Sequence, residues 1–307
     1  KSNFGEKTSM ELTAGYDHYD YATIDKFNPV EAYEMSFKIA QMFGKLKFKS
    51  LLSEKHTITY GADAISYNLA PGSYLPYGGE SLVVPDIIPD ETGIEGAAYL
   101  SDSWSISDGV SLDFGVRYSM FNSDKMYHGP EYRLSGRVML SDKVSFKAGI
   151  NSMRQYIHML SNSISVSPTD IWKLSDRNIK PQKGWQVAGG LYASLFNNKV
   201  EASIEGYYKE MDNYLDYKSG AVIIMNKNIA DDVIITQGRA YGAELMLKKS
   251  IGKLNGWLSY TYSKTQLRER DERGINAING GKWYAASYDK PHDAKLVANY
   301  KFTHRVS

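Results

Sequence analysis

The side chains that could carry out acid–base or metal chemistry are scattered along this chain. The six histidines are not spaced as metal ligands, and there is no cysteine to join them. Phosphate-binding, nucleophile-elbow, zinc-protease and dinucleotide-binding motifs are all missing from the sequence. Glu201 and Glu205 could pass for an acid pair, but Lys209 shares their side of a period-two segment, which is typical of solvated wall charges. We therefore expect no enzyme activity, no metal and no cofactor.

A second group of candidates consists of aromatic and arginine side chains in long polar segments. These segments are Ala70–Thr92, Ser161–Lys183, Ser219–Gln237 and Glu269–Pro291. Aromatic rings beside arginines are typical of ligand-binding surfaces. The candidate substrate-binding residues are Tyr74, Tyr77, Trp172, Arg177, Arg268, Arg270, Trp283 and Tyr284. Packing of the loops on themselves, or contact with lipopolysaccharide, stays open as the alternative for each of them.

The elements that must position these residues are strands, because apolar and polar residues alternate along most of the chain. In Ser111–Met120, Leu112, Phe114 and Val116 alternate with Asp113 and Arg117. Successive strand side chains point to opposite faces, so each run has one apolar and one polar face. The twelve predicted strands are Glu11–Tyr21, Glu34–Leu51, Thr57–Tyr67, Gly96–Ser105, Val110–Phe121, Tyr132–Leu140, Val144–His158, Trp185–Phe196, Val200–Tyr217, Arg239–Ser250, Gly256–Gln266 and Asp293–Phe302.

The connections between the strands alternate between short and long. Short turns are predicted at Ser53–His56, Ser107–Gly109, Ser141–Lys143, Asn197–Lys199 and Gly252–Asn255, and the long segments lie between them. Several structureless loops of that length are unusual in a compact soluble domain, whereas outer-membrane barrels place tight turns on one side and long loops on the other. The pattern predicts an all-β, antiparallel, up-and-down transmembrane β-barrel. A β-sandwich with its apolar faces inward is the alternative.

The charged face of the strands is predicted to line the lumen. An Arg or Lys directed at lipid near the bilayer midplane costs roughly 2–4 kcal/mol. The predicted lumen-lining residues are Asp113, Arg117, Lys147, Glu201, Glu205, Glu244, Lys248 and Lys295. The apolar residues that alternate with them, such as Phe114 and Leu245, are predicted to face lipid.

Two local irregularities stand out against the period-two pattern. The apolar phase changes between Phe43 and Leu46, which predicts a β-bulge or an ordinary turn at Gly44. The segment Pro168–Leu174 could form a single helical turn inside a loop, with Thr169 or Asp170 as its cap.

Composition narrows the class of protein further. The net charge of +1 gives no electrostatic footprint for nucleic acid, and the 24 tyrosines suit the two aromatic girdles of a membrane barrel. A mean hydropathy of −0.42 is compatible with a barrel, because only half of each strand faces lipid. The first residues, Lys1–Thr8, have no apolar core of the kind found in signal peptides. We expect the chain to be an internal piece of a longer precursor.

Several segments in order resemble the TonB-dependent outer-membrane receptors of Gram-negative bacteria. Leu112–Tyr118 is similar to the family's "Gly-Leu-Arg-Tyr" strand, and Glu95–Ile106 resembles its strand that ends in an aromatic before a short turn. Tyr241–Leu245 followed by Leu258–Ser263 resembles the late-barrel pair "Gly-x-Glu" and "Tyr-Thr-Tyr". Lys290–Asp293 resembles the loop that leads into the next strand.

The resemblance implies a 22-strand barrel with an N-terminal plug inside it, energised by an inner-membrane TonB complex. Residues 1–307 would then be a partial barrel domain of about twelve strands, without the plug domain and the final strands. The implied function is active, TonB-coupled uptake of a scarce nutrient such as a siderophore, cobalamin, glycan or peptide across the outer membrane.

The resemblance also implies partners for such a receptor. These are outer-membrane lipid and lipopolysaccharide, the TonB complex through the missing N-terminal part, and an unknown nutrient. We expect deletion of Ser161–Lys183 to abolish uptake while the barrel still assembles. Two other functions stay open: a passive channel or adhesin-type outer-membrane barrel, and a secreted soluble β-sandwich binding protein.

Overall fold

The structure is a computed structural model that describes residues 2–5, 7–160, 171–218, 221, 224–269 and 278–302. Its strands are β1 (Ser2–Phe4), β2 (Thr8–Asp25), β3 (Tyr33–Leu51), β4 (His56–Pro76), β5 (Asp86–Ile87), β6 (Glu91–Ser107), β7 (Val110–Asn122), β8 (Met126–Ser141), β9 (Val144–Gln155), β10 (Ile157–Leu160), β11 (Ile171–Leu174), β12 (Gln182–Leu195), β13 (Val200–Tyr217), β14 (Val233–Lys249), β15 (Leu254–Glu269), β16 (Tyr284–Ala285) and β17 (His292–Tyr300). Each of the twelve predicted strands coincides with one of the long strands.

Within the described residues, helix is confined to two short pieces. One α-helical turn, α1, covers Ile229–Asp232, and a 3₁₀ segment covers Ile278–Gly281. In the part of the chain that the structure describes, no helix has the length and apolar character needed to cross a membrane.

The long strands form a single antiparallel meander. Its order is β1-β2-β3-β4-β6-β7-β8-β9-β12-β13-β14-β15, with β16 and β17 both paired to β15 and β5 paired to β4. Strands β10 and β11 form a separate hairpin. The predicted up-and-down topology is therefore confirmed. The sandwich alternative is wrong, because all long strands belong to one sheet and no second large sheet covers its apolar face in the described residues.

The sheet is open, as expected for part of a barrel. Within the described residues, no pairing joins the first strands to the last ones. The five predicted short turns lie at one end, because consecutive strands run in opposite directions. The long segments lie at the other end, together with the short turn between Asn122 of β7 and Met126 of β8. We call these ends the turn end and the loop end.

Several strands run further into the loop end than the sequence predicts. β4 continues to Pro76 and β14 begins at Val233, so two of the long loops are shorter than expected. The predicted strand Val144–His158 is divided instead, because β9 stops at Gln155 and β10 starts at Ile157. The predicted helical turn is wrong where the structure describes it, since Ile171–Leu174 is a strand paired with β10.

The expected irregularity at Gly44 is also wrong, both as a bulge and as a turn. Gly44 lies inside β3, opposite Ala14 on β2 and Ala64 on β4, with no change of register at that position. The register of the β3–β4 pair shifts instead between Ser36 and Lys38.

Packing at the loop end explains why the positions of the apolar residues in β3 predicted an irregularity that is not there. Phe37 and Ile39 share a face with Lys45 and Lys47, since these positions alternate in an unbroken strand. Phe37 and Ile39 pack with apolar residues at the loop end, whereas the two lysines lie nearer the turn end and are exposed. One face of a strand is thus apolar at one end and charged at the other.

Two apolar clusters lie at the loop end. The hairpin core consists of Tyr67, Leu69, Phe121, Tyr156 and Leu174. The rim core consists of Met35, Phe37, Leu160, Ile171, Ile179, Ile229 and Val233. Both contain residues of β10, β11 or the segment after them, so this hairpin folds back onto the sheet and joins strands from distant parts of the chain.

Away from these clusters, apolar side chains are exposed and polar side chains are buried, which is the reverse of an ordinary soluble protein. On β7, Phe114 and Val116 are 44% and 59% exposed, whereas Ser119 on the opposite face is fully buried. Exposed apolar side chains on one face and buried polar side chains on the other are typical of a barrel wall with lipid outside. We call these the apolar face and the charged face.

Candidate functional site

Arg117 is the centre of a cluster of carboxylates on the charged face. Its Nη2 atom lies 2.7 Å from Asp63 Oδ1 and 3.4 Å from Glu95 Oε1, and its Nη1 atom lies 3.3 Å from Glu131 Oε1. The three carboxylate side chains are only 11–13% exposed. One guanidinium therefore holds three carboxylates that are largely removed from solvent.

The strand register brings these residues together. Arg117 is directly opposite Tyr99 on β6 and Glu131 on β8, and residues that pair in this way project from the same face. Asp63 lies two strands away, with Ala97 between it and Ser119 in the same row. Because alanine is small, it leaves room for the Arg117 side chain to reach Asp63.

Hydroxyl groups complete the hydrogen bonding of the cluster. Ser119 Oγ donates to Glu131 Oε1 at 2.6 Å and lies 2.8 Å from the hydroxyl of Tyr156. The Tyr67 hydroxyl donates to Glu95 Oε2 at 3.1 Å. Tyr67 and Tyr156 also belong to the hairpin core, so the charged cluster and the apolar cluster above it are continuous.

A cavity of about 350 Å³ opens beside Arg117 on the charged face. Its walls include the polar residues Tyr99, Arg117, Glu131, Arg133 and Asn151, together with Gly115 and the apolar residues Leu100, Val116 and Met153. A Cβ atom at Gly115 would approach Ser101 Cβ to 2.7 Å, so a larger residue there would displace this wall. The mixed charges and hydroxyls suit a polar solute.

The other predicted lumen-lining residues share the face of Arg117 by register. Asp113 accepts a hydrogen bond from Ser103 at 2.5 Å, and the Lys147 ammonium lies 4.0 Å from the centre of the Tyr192 ring. Glu205 is directly opposite Glu244. The remaining three form exposed ion pairs: Lys248 with Glu201 at 3.5 Å, and Lys295 with Asp293 at 2.7 Å.

The candidate substrate-binding residues of the first two long segments are engaged within the protein. Tyr74 packs on Tyr33, with ring centres 4.7 Å apart, and contacts the rim core. Tyr77 lies under the Lys26 ammonium. Trp172 is opposite Met159 in the β10–β11 hairpin and packs against the hairpin core. Arg177 is the most accessible of the four, and its Nε atom is 3.0 Å from Asp124 Oδ2.

The candidates of the last long segment point in different directions. The Tyr284 hydroxyl donates to Asp216 Oδ2 at 2.7 Å, and burial together with Asp216 raises the pKa of Tyr284. Trp283 instead lies against the guanidinium groups of Arg239 and Arg268. Arg270 lies outside the described residues. The eight candidates thus form several separate groups.

Ion pairs secure the β10–β11 hairpin to the sheet. Lys173 Nζ lies 2.7 Å from both Glu91 Oε1 on β6 and Asp176 Oδ2, and the Leu174 amide donates to Glu91 Oε2 at 3.0 Å. Burial alone would lower the pKa of Lys173, but Glu91 and Asp176 raise it. Lys173 is therefore a charged clamp between the hairpin and β6.

His158 is buried next to this clamp. Its side chain contacts Ser175 Oγ through Nε2 at 2.9 Å, and its Nδ1 atom has no hydrogen-bond partner within the described residues. Burial, and secondarily the charge of Lys173, lowers the pKa of His158 to about 4. The folded hairpin therefore holds this histidine in its neutral form.

The neutral state of His158 should make the hairpin sensitive to acid. Its pKa is lower in the folded state than the value of 6.5 expected on unfolding, so the hairpin is fully stable above pH 6.5 and loses stability as the pH falls toward 4. The full loss is about 3 kcal/mol. Hydrogen exchange of residues 157–160 and 171–174 in the full-length protein should show increased opening at pH 5 relative to pH 7.5. In H158Q this increase should disappear, whereas H18Q, at an exposed histidine, should retain it.

Sequence reasoning identified Arg117 but missed its partners Asp63, Glu95 and Glu131. Glu131 lies directly opposite Arg117, and a register deduced from the short turn between β7 and β8 could have found it. Sequence reasoning also missed Arg239, and the signal that could have found it is its phase, because it alternates in step with Leu245 and Leu247 on the apolar side of its strand.

An open antiparallel sheet with one exposed apolar face and one charged face defines part of an outer-membrane transport barrel. The chain belongs to the TonB dependent receptor-like β-barrel family, whose model matches residues 2–305. This is a family of Gram-negative outer-membrane receptors and transporters, not of enzymes. Comparison with curated proteins gives no match.

Solved structures of this family share the fold. The copper transporter OprC is 14% identical, with a TM-score of 0.70, and the match covers 98% of this chain and 48% of OprC. FpvA of P. aeruginosa bound to heterologous pyoverdines is 13% identical, with a TM-score of 0.65 and coverages of 99% and 43%. The ferric-catecholate import receptor Fiu from K12 E. coli is 12% identical, with a TM-score of 0.62 and coverages of 98% and 50%. The chain thus spans about half the length of these proteins.

Proposed function

We propose that this chain is the barrel portion of an outer-membrane receptor that imports a scarce nutrient by TonB-coupled active transport. The charged face would line the lumen, and the plug domain and further strands would be supplied by parts of the protein outside residues 1–307. The observation that carries the proposal is the Arg117 cluster, because a largely buried set of charges opposite an exposed apolar face fits the wall of a polar lumen surrounded by lipid.

The β10–β11 hairpin favours a gated receptor over an open channel. It folds back from the loop end, and Leu174 and Ile171 are buried against strands of the sheet. Lys173 anchors it to Glu91 on β6. In the closed barrel such a hairpin would lie across part of the lumen at the loop end, which supports a gated receptor over a freely open channel.

For the nutrient we propose only a broad class, a polar or charged solute. The cavity beside Arg117 is lined by one carboxylate, Glu131, by two arginines and by hydroxyl-bearing side chains, which supports a polar or charged solute. Among the related structures, OprC is a copper transporter and Fiu a ferric-catecholate import receptor. A metal–siderophore complex, cobalamin, a glycan and a peptide all satisfy this chemistry.

Uptake by the full-length protein in its own host tests the proposal. Cells with and without the gene would be compared for accumulation of labelled iron–siderophore, cobalamin, oligosaccharide and peptide, before and after depletion of the TonB complex. We expect one substrate class to depend on both the gene and TonB. Uptake that depends on the gene but persists without TonB would establish the passive channel instead.

Deletion of residues 161–183 would abolish uptake for two reasons, loss of ligand contacts and loss of packing at the loop end. Ile171, Leu174 and Ile179 of that loop are buried in the two loop-end clusters, so the deletion also removes part of the packing. Point variants of exposed residues in the same loop, such as Arg177→Gln, separate ligand binding from this structural contribution.

A further inference from the structure

Two arginines and a tryptophan form a compact group near the loop end of β14 and β15. The guanidinium carbon of Arg239 lies 4.2 Å from the centre of the Trp283 ring, and that of Arg268 lies 4.7 Å from it. Arg239 Nε donates to Gln266 Oε1 at 3.0 Å, and Arg268 Nη2 donates to Gln237 Oε1 at 2.5 Å. Both guanidinium groups are thus fixed by an aromatic ring and an amide.

This group lies on the apolar face of the sheet. Arg239 alternates in step with Leu245 and Leu247 along β14, with no change of register against β15, and both leucines are exposed. Arg268 is two residues beyond Gln266, the partner of Arg239, so the two arginines are diagonal neighbours on that face. They therefore point away from the charged face that carries Arg117.

The height of the group along the wall follows from the same register. Moving from the turn end, β14 presents Leu247, Leu245 and Ala243 on the apolar face, then Tyr241 beside Tyr208 of β13. Arg239 comes next. In outer-membrane barrels an aromatic girdle marks the boundary between the lipid chains and the headgroups. The arginines lie just beyond it, at the level of the headgroups.

The two arginines have no ion-pair partner in the part of the chain that the structure describes. Within the described ranges, neither Arg239 nor Arg268 forms an ion pair with a carboxylate. Glu210 is directly opposite Arg239, but its oxygens accept hydrogen bonds from Trp185 Nε1 and the Tyr208 hydroxyl. Among the described residues, each guanidinium group has one hydrogen-bond acceptor, Gln266 for Arg239 and Gln237 for Arg268, and its other N–H donors have none.

We propose that Arg239 and Arg268, stacked on Trp283, bind a phosphate group of lipid A in the outer leaflet. Two fixed guanidinium groups match the geometry and charge of phosphate, for which Arg is especially suited. The neighbouring Tyr208, Tyr241 and leucines offer an apolar surface to the acyl chains. This inference rests on the proposed outer-membrane location, and it assigns these residues to the lipid instead of to the imported nutrient.

Lipid retention by the full-length protein tests the proposal. The R239Q/R268Q double variant would be compared with the unmodified protein and with R137Q, which removes an exposed arginine of the charged face near the turn end. Each protein would be placed in nanodiscs and titrated with bis-phosphorylated lipid A, with lipid A lacking its phosphates, and with phosphatidylglycerol. Outer-membrane fractionation of the same variants would report separately on the proposed location.

We expect the double variant to bind bis-phosphorylated lipid A at least about tenfold more weakly, a change of about 1.4 kcal/mol. R137Q should bind like the unmodified protein, and removal of the phosphates should weaken binding to the level of the double variant. Equal binding of all three proteins would overturn the proposal, as would equal binding of phosphatidylglycerol by the unmodified protein. If the protein is absent from the outer membrane, the proposed function fails; if it is present but the variants bind alike, only this inference fails.

Discussion

Replacing Arg117 by methionine is expected to destabilise the barrel by about 3–5 kcal/mol, because it leaves three largely buried carboxylates without their common cation. Asp63, Glu95 and Glu131 contact this one guanidinium from three different strands. Their mutual repulsion would act across β4, β6 and β8 and would loosen the wall at that level.

Urea denaturation of the full-length protein, folded into lipid bilayers, measures this effect. R137M is the matched control, because Arg137 is exposed and has no carboxylate partner within the described residues. Adding Glu131→Gln to R117M should recover part of the loss, since it removes one of the repelling charges. If R117M unfolds at the same urea concentration as R137M, the carboxylates are solvated and the cluster has no role in holding the wall.

Replacing Phe121 by alanine is expected to destabilise the loop end by about 3–5 kcal/mol. Phe121 is fully buried, stacks on Tyr156 with ring centres 4.9 Å apart, and lies in the hairpin core with Leu174. The cavity left by the ring would separate the β10–β11 hairpin from β7, so the hairpin should open while the strands near the turn end remain paired.

Phe114→Ala is the control for this variant, because Phe114 is on the same strand but on the exposed apolar face. Limited proteolysis in intact outer membranes should cleave F121A between residues 156 and 181 much faster than the control. Equal cleavage of the two variants would mean that the hairpin is not held by the hairpin core.

The strands were predictable because a membrane wall imposes strict alternation. A strand with lipid on one side and charge on the other cannot shift by one residue without directing an arginine such as Arg117 at lipid, so the pattern is clear in most of the twelve strands. The same reasoning failed at Gly44. There it assumed a uniform face, whereas the loop-end clusters make the charged face of β3 apolar at Phe37 and charged at Lys45.

The loops were less predictable for a different reason. Aromatic and arginine side chains serve both for binding and for packing a loop on itself, and sequence spacing does not separate the two uses. Trp172 packs against the hairpin core, and Arg268 lies on the apolar face. The partners of Arg117 depend on register across three strand pairs, and that register is fixed by turn geometry that composition reveals only in part.

The alternation of faces can be measured directly by spin labelling, because residues 1–307 contain no cysteine and any cysteine outside them can be replaced. Single cysteines at positions 112 to 119 of β7, placed in the full-length protein in lipid bilayers, would carry a nitroxide spin label. Collision rates with oxygen, which partitions into lipid, and with a water-soluble nickel complex would be compared. We expect high oxygen accessibility at Leu112, Phe114, Val116 and Tyr118 and low values at the positions between them. Equal accessibility along the strand, or oxygen maxima at Asp113 and Arg117, would contradict a barrel wall with its charged face inward.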